Sequence, residues 1–141
     1  MTSRNLDSLI TVHKLKAEPG NQAEFDGLVN SGRVRLLDAR NDTLSIESRF
    51  DLAYNASHAI SLAALRCWQG YRTDYRYIVF QCLPHTLGLG AKVWKVLDHC
   101  HNLRNRGEYE GFLDINEQLV NELIEATEVV LAEVDKLEKI V

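Results

Sequence analysis

Toward the end of the chain, apolar side chains return every three or four residues. Val120, Leu123, Thr127, Val130, Val134, Leu137 and Val141 form one stripe, and Ile124 and Leu131 widen it into a core-facing band. The pattern predicts a long last helix, opened by Asp114 and Glu117 as a variant of the capping box. The stripe is too short for a free coiled coil and fits a bundle helix. A second long helix is predicted from about Leu44 to Trp68. Ile46, Phe50, Ala53, Ser57, Ile60, Ala64 and Trp68 share one face, and Asp42 or Thr43 can cap it. Its alanines (Ala53, Ala56, Ala59, Ala63 and Ala64) permit close helix–helix approach, and Gly70 marks the turn beyond its end.

Between these two, the spacing predicts a helix over about Asp74 to Leu83 with Ile78, Val79, Cys82 and Leu83 inward. Pro84 lacks an amide donor and ends or kinks it. After the loop Gly88–Gly90, a further helix begins near Ala91 and turns Val93, Trp94, Leu97, Cys100 and Leu103 to the core. It is expected to falter near Gly107. Upstream, "NLDSLITVHKLKAE" and "NQAEFDGLVNSGRVRLLDAR" carry weaker helical patterns, separated by Pro19-Gly20, and no segment alternates convincingly as a strand. No repeat or linker divides the chain, so residues 1–141 are read as one domain. The fold class predicted is all-α, an up-and-down bundle of five or six helices.

Composition changes this picture little. At 141 residues, 45% hydrophobic and 26% charged, the chain can bury a core without staples. No apolar run is long enough to span a membrane, and the opening MTSRNLDSL lacks a signal-peptide core, which predicts a cytoplasmic protein. Cys67, Cys82 and Cys100 sit in apolar segments and read as buried, reduced thiols. Charge matters more through its placement. Residues 115–141 hold seven acids against two lysines, −5 in all, which leaves +1 for the rest of a chain of net charge −4. Ten of its 16 basic residues are arginine, and all but Arg4 lie between Arg33 and Arg106. Arginine suits bidentate phosphate or carboxylate contacts better than lysine does, so a locally basic face is expected on an acidic protein.

Candidate chemistry is sparse. His99, Cys100 and His101 are neighbours in sequence, but adjacent helical residues point in different directions, so no metal site is expected there. His13, His58 and His85 stand alone and read as surface or hydrogen-bonded structural residues. Phosphate-loop, dinucleotide-binding and nucleophile-elbow signatures are absent, and no cofactor is implied. One stretch stands out: "CHNLRNRGEYEG", Cys100 to Gly111, which crowds Arg104, Asn105, Arg106, Glu108 and Tyr109 into six positions. Arg104 and Glu108 share a helical face, and Asn105 and Tyr109 share the next. The plain reading is a surface ion pair worth a few tenths of a kcal/mol. The sharper one is an anion-binding group of two guanidinium forks, an amide and a phenol.

"RFDLAYNASHAISLAALRCWQGYR", then "YRYIVFQCL", then "LRNRGEYEG" resemble the HEPN domain superfamily of helical bundles, over roughly residues 44–115. The resemblance implies a homodimer with two arginine motifs facing across a cleft, and RNA cleavage without a metal. In such proteins the motif arginine holds the scissile phosphate, and a histidine separated from it by four to six residues handles protons. Arg104 matches the arginine and Asn105 the polar residue after it. The histidine position is Tyr109. Histidine exchanges protons near pH 7, whereas tyrosine titrates near ~10. A phenol can donate a hydrogen bond or stack on a base, but it is a poor general base. Glu108 could act as a base, yet its carboxylate repels a bound phosphate.

Three readings follow. The first is a HEPN-like homodimer binding RNA or nucleotide phosphates through Arg104, Asn105, Arg106, Glu108 and Tyr109, with catalysis weak or lost. The second is a metal-independent endoribonuclease with Arg104 and Tyr109 catalytic, the toxin of a toxin–antitoxin pair beside a small nucleotidyltransferase partner. The third is a non-catalytic bundle that docks a protein partner on its acidic last helix.

Overall fold

Helical periodicity along this chain requires several amphipathic segments to bury one stripe each, and the structure, a computed structural model, meets that requirement with an all-α bundle. It describes the backbone of residues 16–68, 70–73, 76–111 and 114–137; the side chains at 16, 67, 68, 72, 85 and 108–110 lie outside the description. The segment before residue 16 and Val141, both read above as parts of helices, also fall outside it.

Helix α1 (Gln22–Ala39) starts where the Asn21 side chain accepts the Glu24 amide at 3.0 Å. Its buried residues, Val29, Gly32, Leu36 and Ala39, follow a 3-4-3 spacing. Helix α2 (Ile46–Ala63) lies against them and is the central element, touching α1 and every longer helix that follows. Its cap is Ser45, which accepts the Ser48 amide at 3.1 Å. The expected caps at Asp42 or Thr43 give way because Thr43 is held in the preceding turn by the Asn41 side chain. Phe50, Ala53, Ser57, Ile60 and Ala64 of the predicted stripe are buried, while Ile46 is exposed.

Instead of ending cleanly at Trp68, α2 widens into a π-helical turn (Ala64–Trp68). Inside it the Arg66 side chain is buried, with Glu18 at 3.0 Å, Glu24 at 3.2 Å and the Pro19 carbonyl at 3.1 Å. Gly70, at φ 78°, then reverses the chain. The sequence pattern shows no strand, yet two residues on each side form a small antiparallel pair, β1 (Lys16–Ala17) with β2 (Tyr71–Arg72).

Helix α3 (Arg76–Gln81) buries Ile78, Val79 and Phe80. It stops at Cys82, and a single turn, α4 (Leu83–Thr86), restarts with Pro84 in its first turn, where a missing amide costs nothing. Helix α5 (Ala91–Glu110) does not falter at Gly107. It continues to Gly111, whose left-handed φ of 83° and bond to the Gly107 carbonyl at 3.0 Å close it. Helix α6 (Glu117–Asp135) is capped by Asn116, which accepts the Leu119 amide at 2.8 Å, so the expected start at Asp114 is two residues early. Its buried residues are Val120, Leu123, Ile124, Ala126, Thr127, Val130 and Val134, while Leu131 and Leu137 of the predicted band are only half-buried.

The core gathers Phe50, Tyr54, Ile60, Phe80, Leu83, Leu97, Leu123 and Val130 around α2, each worth roughly 1.5–3 kcal/mol of burial. The backbones approach closely where α1 crosses α2: a Cβ on Gly32 would collide with Ile60 Cγ1 and lie 3.3 Å from the Ala56 carbonyl oxygen. Gly32→Ala should therefore destabilise the protein. Overpacking of about 1–3 kcal/mol exceeds the helix-propensity gain of about 1 kcal/mol. Urea unfolding checks this, and the same change made in an Ile60→Ala background should instead be neutral or stabilising. An equal loss in both backgrounds would mean that Gly32 does not face Ile60.

Candidate functional site

The residues singled out on α5 divide in two. Arg104 and Asn105 are half-buried, Arg104 over the Tyr54 ring of α2 and Asn105 against His101 of its own helix, whereas Arg106 is exposed on the opposite flank. A step of two residues on a helix is about 200°. There Arg106 lines a groove of about 430 Å³ between α5 and α6, with His99, Leu103, Asp114, Asn116 and Glu122 among its walls. The expected cluster of Arg104, Asn105 and Arg106 is thus separated into two faces. Glu108 and Tyr109 belong to the same helix, but their side chains lie outside the described residues.

What Arg104 does meet is Tyr54. The Tyr54 ring, 0% exposed, lies at the base of the site, and the Arg104 guanidinium carbon sits 5.0 Å from its centroid. A second guanidinium, from Arg76 at the start of α3, sits 5.6 Å from the same centroid. Arg76 is aimed by Asn55, whose side-chain oxygen accepts its Nη1 at 3.3 Å, while the Asn55 amide nitrogen donates to the Asp51 carbonyl at 2.9 Å. Three helices thus place two cationic forks over one aromatic ring.

Beneath the guanidinium groups runs a short hydrogen-bonded chain. His101, buried, faces the Tyr54 hydroxyl through Nδ1 at 2.8 Å, and its Nε2 lies 3.1 Å from the Asn105 side-chain nitrogen. With that amide nitrogen donating, Nε2 accepts, so Nδ1 carries the proton and donates to the tyrosine oxygen. His101 also lies nearly parallel to Tyr54, rings 6.2 Å apart, with Phe80 edge-on at 6.3 Å. His58 completes the group one turn beyond Tyr54 on α2, edge-on to Phe80 at 6.1 Å. Its imidazole is pushed down from 6.5 to about 4, first by burial and then electrostatically by Arg76, by the neighbouring His101 and by Arg104. His58 is therefore neutral at pH 7.

Reasoning from the sequence passed over Tyr54, Asn55, His58, Arg76 and His101. Two of the links were readable: Tyr54 with His58 and His101 with Asn105 are i, i+4 pairs on long helices. Nothing in the local sequence marks Arg76, which joins the site only because α3 folds back across α2. His58 had been expected to stand alone, and the structure sets it in the field of both arginines.

Chemically, the arrangement offers fixed positive charge and planar donors on an apolar floor, suited to phosphate or carboxylate. The described thiols offer no nucleophile. Cys82 and Cys100 are buried and pushed up to about 12, by burial alone in the first and by burial and then Glu122 in the second. Cys67 lies outside the described side chains. Among the described residues no three His, Cys, Asp or Glu side chains are grouped to hold a metal ion, and no helix is long and apolar enough to cross a membrane.

The His58 shift has a definite sign. The unfolded chain takes up a proton on this imidazole as pH falls through 6.5, and the folded chain does so only near 4. Stability contributed by His58 is therefore complete above about pH 7 and is lost progressively between pH 6.5 and 4. Proton NMR of the imidazole should place its midpoint near 4, and His58→Gln should flatten the fall in urea stability over that window. A midpoint near 6.5 would mean that neither burial nor the arginines act on His58.

Comparison of the chain with protein-family models, with curated proteins and with solved structures returns no match in any of the three.

Proposed function

We propose that this chain is a HEPN-like protein that pairs as a homodimer and binds RNA or nucleotide phosphates at the Arg104–Asn105 motif, with catalysis weak or lost. The observation that carries the reading is the pair of guanidinium groups, Arg104 at 5.0 Å and Arg76 at 5.6 Å, over the buried Tyr54 ring. A cationic pair held over an aromatic ring gains about 0.5–2 kcal/mol per guanidinium from the ring face. It does fit an anion, which gains charge-assisted hydrogen bonds from both forks. The half-buried Asn55 and Asn105 add amide groups at the edge of the same spot.

Weak catalysis follows from the proton donors and acceptors at hand. His58 is held neutral with a midpoint of about 4, far from the value that suits a general base or acid at pH 7. His101 is held on both ring nitrogens by Tyr54 and Asn105. The ribonuclease reading retains one favourable observation: His58 and His101 bring imidazoles beside Arg104, where the motif itself offers Tyr109. A toxin role and a small nucleotidyltransferase partner belong to that second reading.

Binding and cleavage of a labelled RNA, with chelator present, separate the two. Arg104→Ala should weaken saturable binding by roughly tenfold to a hundredfold, the loss of a charge-assisted fork. Wild type should leave the RNA intact, and Tyr109→His should introduce cleavage. Cleavage by the wild type that vanishes in Arg104→Ala would make the ribonuclease reading the correct one. Bound phosphate should also raise the His58 midpoint, since the anion offsets Arg76 and Arg104. Light scattering should give twice the chain mass.

A further inference from the structure

Large apolar side chains left in water are unevenly placed on this molecule. Five are exposed among the described residues, and four of them, Val34, Leu37, Leu44 and Ile46, run from the last turns of α1 to the first residue of α2. Val34 and Leu37 are the most exposed, at 51% and 67%. They belong to an outward stripe of α1, Ala23, Gly27, Asn30, Val34 and Leu37, all exposed and all uncharged. Its 4-3-4-3 spacing is that of a heptad seam, with Gly27 and Val34 at a and Ala23, Asn30 and Leu37 at d. The buried stripe of Val29, Gly32, Leu36 and Ala39 occupies the other side of the same helix. The ionic heads of α1 are drawn off the outward stripe onto their own chain. Arg33 pairs with Asp135, Glu24 with Arg66, Arg35 with the Ser31 hydroxyl and Asp26 with Gln22.

We propose that this seam seats the same seam of a second copy of the chain, the two α1 helices running parallel about a two-fold axis. The inference rests on the homodimer reading above and names its face. Valine at a with leucine at d is the combination that favours two parallel strands. The flanking charges set the direction. In a parallel pair Arg33, at g, meets Asp38, at e, of the second copy, and Asp26 meets Ser31, so two attractive pairs form and no repulsive one. An antiparallel pair would set Arg33 against Arg33 and Glu24 against Asp38. Two heptads are too few to order free helices, but α1 is already folded against α2, so its backbone loses no freedom on pairing. The position of the seam also places the candidate site. Ala56 and Ile60, which meet Gly32, stand about 200° and 240° round α2 from Tyr54. The Tyr54–Arg104 group thus lies on the side of α2 away from α1. A copy seated on α1 leaves the two Arg104 motifs facing outward, each in its own site, instead of facing one another across a cleft.

Sedimentation equilibrium of the full chain tests the proposal. Wild type should run at twice the chain mass. Val34→Glu and Leu37→Glu should each raise the dissociation constant of the dimer by about a hundredfold. Circular dichroism should show both variants folded, since neither side chain is buried. Val129→Glu, which charges the exposed apolar residue of α6, should leave the dimer unchanged. Mild oxidation of Asn30→Cys should give a covalent dimer to an extent that wild type does not, because a parallel pair sets position 30 beside its own copy. A dimer that persists in both glutamate variants would overturn the inference and leave the homodimer reading standing. An intact dimer in which Asn30→Cys fails to cross-link would overturn the parallel pairing. A monomeric wild type would overturn the inference and the homodimer reading together.

Discussion

A phenol with no exposure to solvent must find a protein partner for its hydroxyl, since leaving it unpaired costs about 1–3 kcal/mol. For Tyr54 that partner is Nδ1 of His101, 2.8 Å away on another helix. One bond thereby fixes the register of α5 against α2. With His101 held opposite Tyr54, Asn105 follows one turn later on the far ring nitrogen, and Arg104 falls over the tyrosine ring. A one-residue slip of α5 would break the pair and swing Arg104 by about 100° toward α6. The position of the motif arginine is therefore a consequence of satisfying a buried polar group.

That register holds only if α2 itself is immobile, and two buried arginines help to fix its ends. Arg49, near the start of α2, donates to the Ala39 carbonyl at 2.8 Å at the end of α1 and approaches Asn121 and Glu117 of α6 at 3.5 and 3.8 Å. Arg66, beyond its end, ties the π-helical turn to Glu18 and Glu24. Between these clamps, Gly32 lets α1 lie against Ile60 and Ala56. Guanidinium groups thus serve two distinct ends in one chain. Those at the ends of α2 satisfy backbone and carboxylate oxygens in the interior, and those beside its middle stay half-buried over an aromatic ring.

Much of the fold was legible because its signal is local. The stripe of α6 and the apolar face of α2 repeat over many residues, and burial follows them closely at Leu123, Val130, Phe50 and Ile60. Boundaries were less legible. Ser45 and Asn116 displaced the expected caps, and Gly107 proved harmless within α5 because Gly111 lies in better reach of the helix end. The site was legible only in part, for a different reason. Arg104 and Asn105 announce themselves in a crowded polar stretch, but Arg76, Tyr54 and His58 are assembled by tertiary packing. A tyrosine and a histidine within an alanine-rich helix look like core and surface residues until α3 and α5 close over them. Arg106 erred the other way: adjacency in sequence suggested one cluster, and helical pitch divides it.

The charges that suit this site to an anion also act on its own acid–base group. Arg76 and Arg104 help hold the His58 imidazole unprotonated, adding to the effect of its burial. A phosphate placed between the guanidinium groups would cancel part of that field, so the imidazole and the ligand are electrostatically coupled even without touching. Efficient proton transfer at pH 7 needs a group already poised near that value before the substrate arrives. Here burial and the two arginines hold the His58 imidazole well below it, and the His101 imidazole is fixed by Tyr54 and Asn105. A cationic pair of this kind would gain affinity for an anion by the same electrostatics that withdraw proton chemistry, so the proposed binding and the proposed weak catalysis are two sides of one reading.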